Sequence, residues 1–157
     1  MLLSKRAKIR VPNRLGFSKQ NFGDLWSTLQ NAIDRIYEER VNELSFEKIY
    51  RTVYTLVLMQ KGPELYLHIE SYLKKKLDSL KDDQFQEGIQ GFELLKRLIA
   101  VWNSQCTCFK LLGDLMIYLD KVYCKSERKT EIYDLGLNIF KDCLLYTSDA
   151  ADELDGV

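Results

Sequence analysis

Between Asn21 and Phe140, apolar residues recur every three or four positions, and of the chain's two prolines only Pro63 falls in that stretch. This period matches one face of an α-helix, and with so few breakers it leaves little room for any other regular structure. Leu25, Trp26, Leu29, Ile33, Ile36 and Tyr37 define a first helix at about 22–39, with Asn21 as N-cap and Asp24 three residues on. Ser45 caps a second that runs to about Gln60, with Glu47 complementing the dipole in its first turn. Gly62 suits the position after a helix end, and Pro63 with Glu64 the opening turn of a third helix at about 63–80. Its lysines at 74–76 read as a solvated end. Further helices are expected at about 84–102, ending near Trp102 and Asn103, and at about 105–123. After the polar loop KSERK (125–129), a last helix begins near Thr130 and carries Ile132, Leu135, Ile139 and Phe140. No strand pattern competes. Short loops connect antiparallel neighbours, so the expected fold is all-α, an antiparallel bundle of five to six helices.

The chain's 157 residues and 46% hydrophobic content suffice for one core. The 23 basic and 23 acidic residues balance, which gives no electrostatic argument for nucleic acid or an anionic membrane. No apolar run reaches the roughly 18 residues of a membrane span, and MLLSKRAKIRVP lacks the apolar region of a secretory signal. The class expected from these features is soluble and intracellular. Cys106 and Cys108 would point about 200° apart on a helix, and His68 lies in another segment, so no metal site or cofactor is expected and the four thiols read as reduced. No phosphate loop or nucleophile motif is present, His68 reads as a partly exposed helix residue, and Trp26 and Trp102 read as core.

The second helix carries more apolar surface than one core contact needs. With Phe46 at zero and a step of about 100° per residue, Leu56, Ile49, Val53, Val57, Tyr50, Tyr54 and Leu58 fall within an arc of about 200°, against a usual stripe of little more than 100°. Lys48, Arg51 and Thr55 take the opposite side. Residues 111–123 behave likewise, with Leu111, Leu112, Leu115, Met116, Tyr118, Leu119, Val122 and Tyr123 over about half the circumference. Two arrangements account for such helices: a central place in the bundle that buries everything, or a core face adjoining a partner face on which tyrosines are common.

The segments WSTLQNAIDRIY, LSFEKIYRTVYTLVLMQKGPELY, WNSQCTCFKLLGDLMIYLDKVY and IYDLGLNIFKD, in that order over about 22–142, resemble the amino-terminal repeat of the cullins, scaffolds of multisubunit ubiquitin ligases. VYTLVLMQKGPELY, with KIRVP at 8–12, is most similar to the third cullin type, which uses BTB-domain proteins as adaptor and substrate receptor. The resemblance implies a non-catalytic scaffold that docks a BTB adaptor through its second and fifth helices and supports ubiquitin-dependent protein degradation. By motif position it implies Leu44, Phe46, Glu47, Tyr50, Tyr54, Leu119 and Tyr123 as adaptor contacts, with the tyrosines as anchors, Glu47 on the rim and Phe46 mid-arc. Ile9, Arg10, Val11 and Pro12 would add contacts from a flexible basic arm at 1–21. Cytoplasm and nucleus are the expected locations.

The resemblance also has edges. A RING subunit would be bound only by a full-length form, because the family's later repeats and C-terminal domain lie outside this sequence. The ending CLLYTSDAADE resembles an in-frame translation of a transposase adapter used in sequencing libraries, so the authentic sequence is expected to stop at Asp142 and 143–157 to be a disordered, non-native tail. The competing function is a helical-repeat interaction module of a vesicle-tethering complex.

Overall fold

The computed structural model describes residues 20–155, with 145–155 described by their backbone alone. Among these residues the regular structure is helical: α1 (Phe22–Tyr37), a 3₁₀ turn (Val41–Glu43), α2 (Phe46–Leu58), α3 (Gly62–Gln84), α4 (Gly91–Leu115), α5 over 117–127 and α6 (Ile132–Asp155). The all-α bundle expected from the periodicity is what forms. The arm residues Ile9, Arg10, Val11 and Pro12 lie outside the described residues.

The starts of α1 and α2 follow from their caps. The Asn21 side chain accepts the Asp24 amide at 2.9 Å, and Ser45 Oγ accepts the Lys48 amide at 3.4 Å. Their ends share one device. Glu39 (φ 59) and Gln60 (φ 60) adopt the left-handed conformation, so that Arg40 and Lys61 donate to Arg35 O and Leu56 O, at 2.8 and 2.9 Å. This is the paired bonding that satisfies the last carbonyls of a helix, built here without glycine. The sequence reading gave the post-helix place to Gly62, which instead opens α3. Gln60 is thus held in a conformation that glycine adopts freely. Gln60→Gly should therefore raise stability by about 0.5 kcal/mol, read from urea denaturation, after the added flexibility of the unfolded chain is subtracted.

The later helix boundaries differ from expectation. The expected break at 103–104 is absent and α4 runs through it to Leu115, leaving 117–123 to α5, because neither glycine nor proline stands at 103–104 and Thr107 Oγ1 bonds back to Asn103 O at 3.1 Å within the helix. The start of α4 moves to 91 because Gly88 and Gly91 take positive φ of 99 and 66 in the preceding turn. α5 comprises helical turns Ile117–Leu119 and Lys125–Glu127 around a π-helical turn, Asp120–Cys124. Part of the KSERK loop is therefore helical. The backbone of α6 is helical from Ile132 to Asp155, and Ala150, Ala151, Glu153 and Leu154 are good helix formers.

One core joins the elements: Leu29 and Ile33 of α1, Val53 and Leu56 of α2, Leu65, Ile69 and Leu73 of α3, Phe109, Leu112 and Leu115 of α4, and Ile139 and Phe140 of α6 are all buried. α4 lies along α6, α6 along α3, and α2 against both α1 and α5. The α4–α6 approach depends on Gly136, where a Cβ would stand 2.5 Å from Phe109 Cδ1. Lys76 departs from its expected solvated-end role: it pairs with Asp34 at 2.6 Å and lies over the rings of Tyr37 and Tyr72. Trp102, expected in the core, is 42% exposed beside Phe140 and continues a row of Phe92, Leu95 and Ile99 along the outside of α4.

Candidate docking surface

Residues four apart on a helix lie almost above one another, so Phe46, Tyr50 and Tyr54 form one row along α2. That row is exposed: Tyr50 by 40% and Tyr54 by 42%, on a helix whose other flank buries Ile49, Val53 and Leu56. The broad arc thus divides into a core stripe and an outward aromatic stripe. Glu47 stands beside the row, its side chain 81% exposed, and accepts from Arg51 Nη2 at 2.6 Å. An exposed pair of this kind contributes little to stability, which leaves the carboxylate available to a partner.

α5 extends the row. The Tyr118 ring meets Tyr54 edge to face, with centroids 4.7 Å apart at an interplanar angle of 70°. Val122 is exposed on the same helix. Tyr123 is half-buried: its ring packs on the start of α3, where a Cβ at Gly62 would lie 3.0 Å from Tyr123 Cγ, and it lies 5.8 Å from the ring of Tyr66. Gly62 therefore serves as the seat of this tyrosine. Leu44 is half-buried against the core at the end of the 3₁₀ turn.

Six of the seven residues assigned by motif position have some outward surface; Leu119 does not. It is 0% exposed, turned into the core between α2 and α4, so it shapes the surface from below. Tyr118 and Val122 take the outward places instead. Both belong to the broad apolar arc of 111–123, and that arc was the signal that could have found them.

Among the described residues no group of three or more histidine, cysteine or acidic side chains is placed to hold a metal ion, and no helix is long and apolar enough to cross a membrane. Burial pushes the Cys108 thiol up to about 11 and the Cys124 thiol up to about 12, which suppresses the nucleophilic thiolate. His68 is exposed, its Nδ1 2.8 Å from Glu64 O and its ring against the edges of Phe22 and Trp26.

Such a unit, all helix with an outward aromatic row crossing from one helix to the next, is of the helical-solenoid class whose members work as binding surfaces. The family model described as the cullin alpha solenoid domain matches residues 26–155, and the chain belongs to the cullin family. It is similar to cullin-3 of Saccharomyces cerevisiae, at 44% identity over 141 residues that cover 90% of this chain and 19% of that protein. It is likewise similar to cullin-3A of Arabidopsis thaliana (32% identity, 77% of this chain and 16% of the relative) and to cullin-3 of Schizosaccharomyces pombe (27%, with 94% and 22%). The chain thus spans about a fifth of the length of the curated relatives it matches. The vesicle-tethering alternative gives way to this membership.

Proposed function

We propose that this chain is the adaptor-docking part of a cullin scaffold, and that the face formed by α2 and α5 binds a BTB-domain protein in a ubiquitin ligase of cytoplasm and nucleus. The observation that carries the reading is the exposed row Phe46, Tyr50, Tyr54 continued by Tyr118 and Val122. Tyrosines on a rigid helix supply large contact area at low entropic cost, and Glu47 adds a polar contact at the rim. The match to cullin-3 proteins of a budding yeast, a fission yeast and a plant supports the choice of a BTB partner. In the complete assembly the scaffold would hold a RING subunit at a distance, and this unit would contribute no catalytic group. The outer row of α4, with Phe92 80% exposed, is where we place the next helical unit of the longer scaffold, because solenoid units bury such faces against their neighbours.

The test is calorimetric titration of the chain with BTB-domain proteins and with the adaptor used by other cullin types. Preference for the latter would overturn the assignment. The arm has its own expected result. Deleting residues 1–20 should weaken binding to a BTB protein by roughly tenfold, as Ile9, Val11 and Pro12 lose apolar contacts and Arg10 a polar one, while the melting temperature stays put. An unchanged affinity would remove the arm from the interface.

A further inference from the structure

The π-helical turn inside α5 is an unusual element, and it carries the second half of that helix's outward surface. A π turn carries an extra residue, and one residue advances a helical face by about 100°, so the turn sets where the side chains after it point relative to those before it. The turn opens at Asp120 and closes where the Lys125 amide donates back to Asp120 O. Upstream lies Tyr118, against Tyr54; inside it lie Val122, exposed, and Tyr123, seated on Gly62.

Asp120 is also the residue that ties this turn to another helix. Its carboxyl group is buried, and Oδ1 accepts the amide of Ile132, the first residue of α6, at 3.0 Å. That amide is one of the donors a helix start leaves without an internal partner, so the bond satisfies α6 and anchors α5 with one side chain. Leu119, just before the turn, and Cys124, its last residue, are buried in the core, and Lys129 closes the far end of α5 by donating to Cys124 O at 2.8 Å across left-handed Arg128. A carboxylate placed away from water in this way persists only with such partners. We propose that Asp120 is the positioning residue of the docking surface: by holding the π turn to the start of α6, it fixes Tyr118 against Tyr54 and Tyr123 on Gly62, and so sets the register in which α5 meets an adaptor. This rests on the reading of the α2–α5 face as a docking site.

Two readouts separate positioning from stability alone. In the isotope-labelled free chain, nuclear Overhauser contacts between the Tyr54 and Tyr118 rings, and between Tyr123 and Gly62, report the register directly. Titration with a BTB-domain protein reports its consequence. Asp120→Asn keeps an acceptor oxygen and should retain the ring contacts and bind within about twofold of the parent. Asp120→Ala should lose both contacts and bind at least about tenfold more weakly at a temperature where it remains folded. Leu77→Ala trims a buried side chain of α3 that packs with Leu80, Val101 and Phe140, apart from α2 and α5, and serves as the stability control; its affinity should match the parent. If Asp120→Ala does not fold, Asp120→Glu, which displaces the acceptor by a methylene, takes its place with the same loss expected. Ring contacts and affinity preserved in the folded Asp120→Ala or Asp120→Glu chain would overturn the proposal, as would an equal loss in Leu77→Ala. A parent chain that binds no BTB protein would overturn the docking reading, and the ring contacts would then decide the positioning role by themselves.

Discussion

Replacing Tyr50 and Tyr54 together by alanine should weaken binding of a BTB-domain protein by at least about 2 kcal/mol, roughly thirtyfold in Kd. Both rings stand outward on α2 while Ile49, Val53 and Leu56 on its inner flank hold the helix to the core, so helix content by circular dichroism should be unchanged. The two losses differ in kind. Tyr50 removes its own contact area, whereas Tyr54 also removes the ring on which Tyr118 leans, so the effect of the second change reaches α5. Calorimetric titration of the folded variant checks this, and parental affinity would rule out the α2–α5 face as the adaptor site.

The largest effect on stability is expected at the α4–α6 contact. Phe109→Ala should cost about 3–5 kcal/mol, because the ring is almost fully buried and its neighbours cannot collapse into the space. Gly136→Ala should cost about 1–3 kcal/mol from overpacking, since its new methyl would stand 2.5 and 2.6 Å from two atoms of the same ring; about 1 kcal/mol returns from better helix propensity. The two changes should not add. With the ring gone, the methyl of residue 136 enters the vacated volume, and the double variant should be more stable than the sum of the singles by about 1 kcal/mol or more. Urea denaturation of the four proteins measures the coupling. Additivity within about 0.5 kcal/mol would mean that the backbones separate freely and that glycine is not needed for the close approach.

Periodicity and caps determined a good part of this protein from the chain alone. The spacing of Leu25, Leu29, Ile33 and Ile36 and the caps Asn21 and Ser45 are local features, and α1 and α2 begin where those features place them. The width of the apolar arc on α2 is likewise a property of thirteen consecutive residues, Phe46–Leu58; it marked surplus surface but left open whether that surplus was buried or outward, and the family resemblance pointed outward. The family resemblance rested on the same local segments.

What the tertiary structure decided is everything that depends on a neighbour from elsewhere in the chain. Asn103 and Ser104 resemble a helix end, yet α4 runs through them, since nothing there forbids helical geometry and the helix packs along α6. Gly62 resembles a helix terminator, but its missing side chain is used by Tyr123, sixty-one residues away, and Gln60 accepts the left-handed turn in its place. Leu119 and Tyr118 are adjacent and both apolar on one wide arc, so no pattern within α5 states which of them faces water. That choice is made by the position of α2 and by the turn that Asp120 secures to α6. Helix formation is governed by residues three and four apart; exposure is governed by whichever surface arrives opposite, and that is known only once the helices are packed.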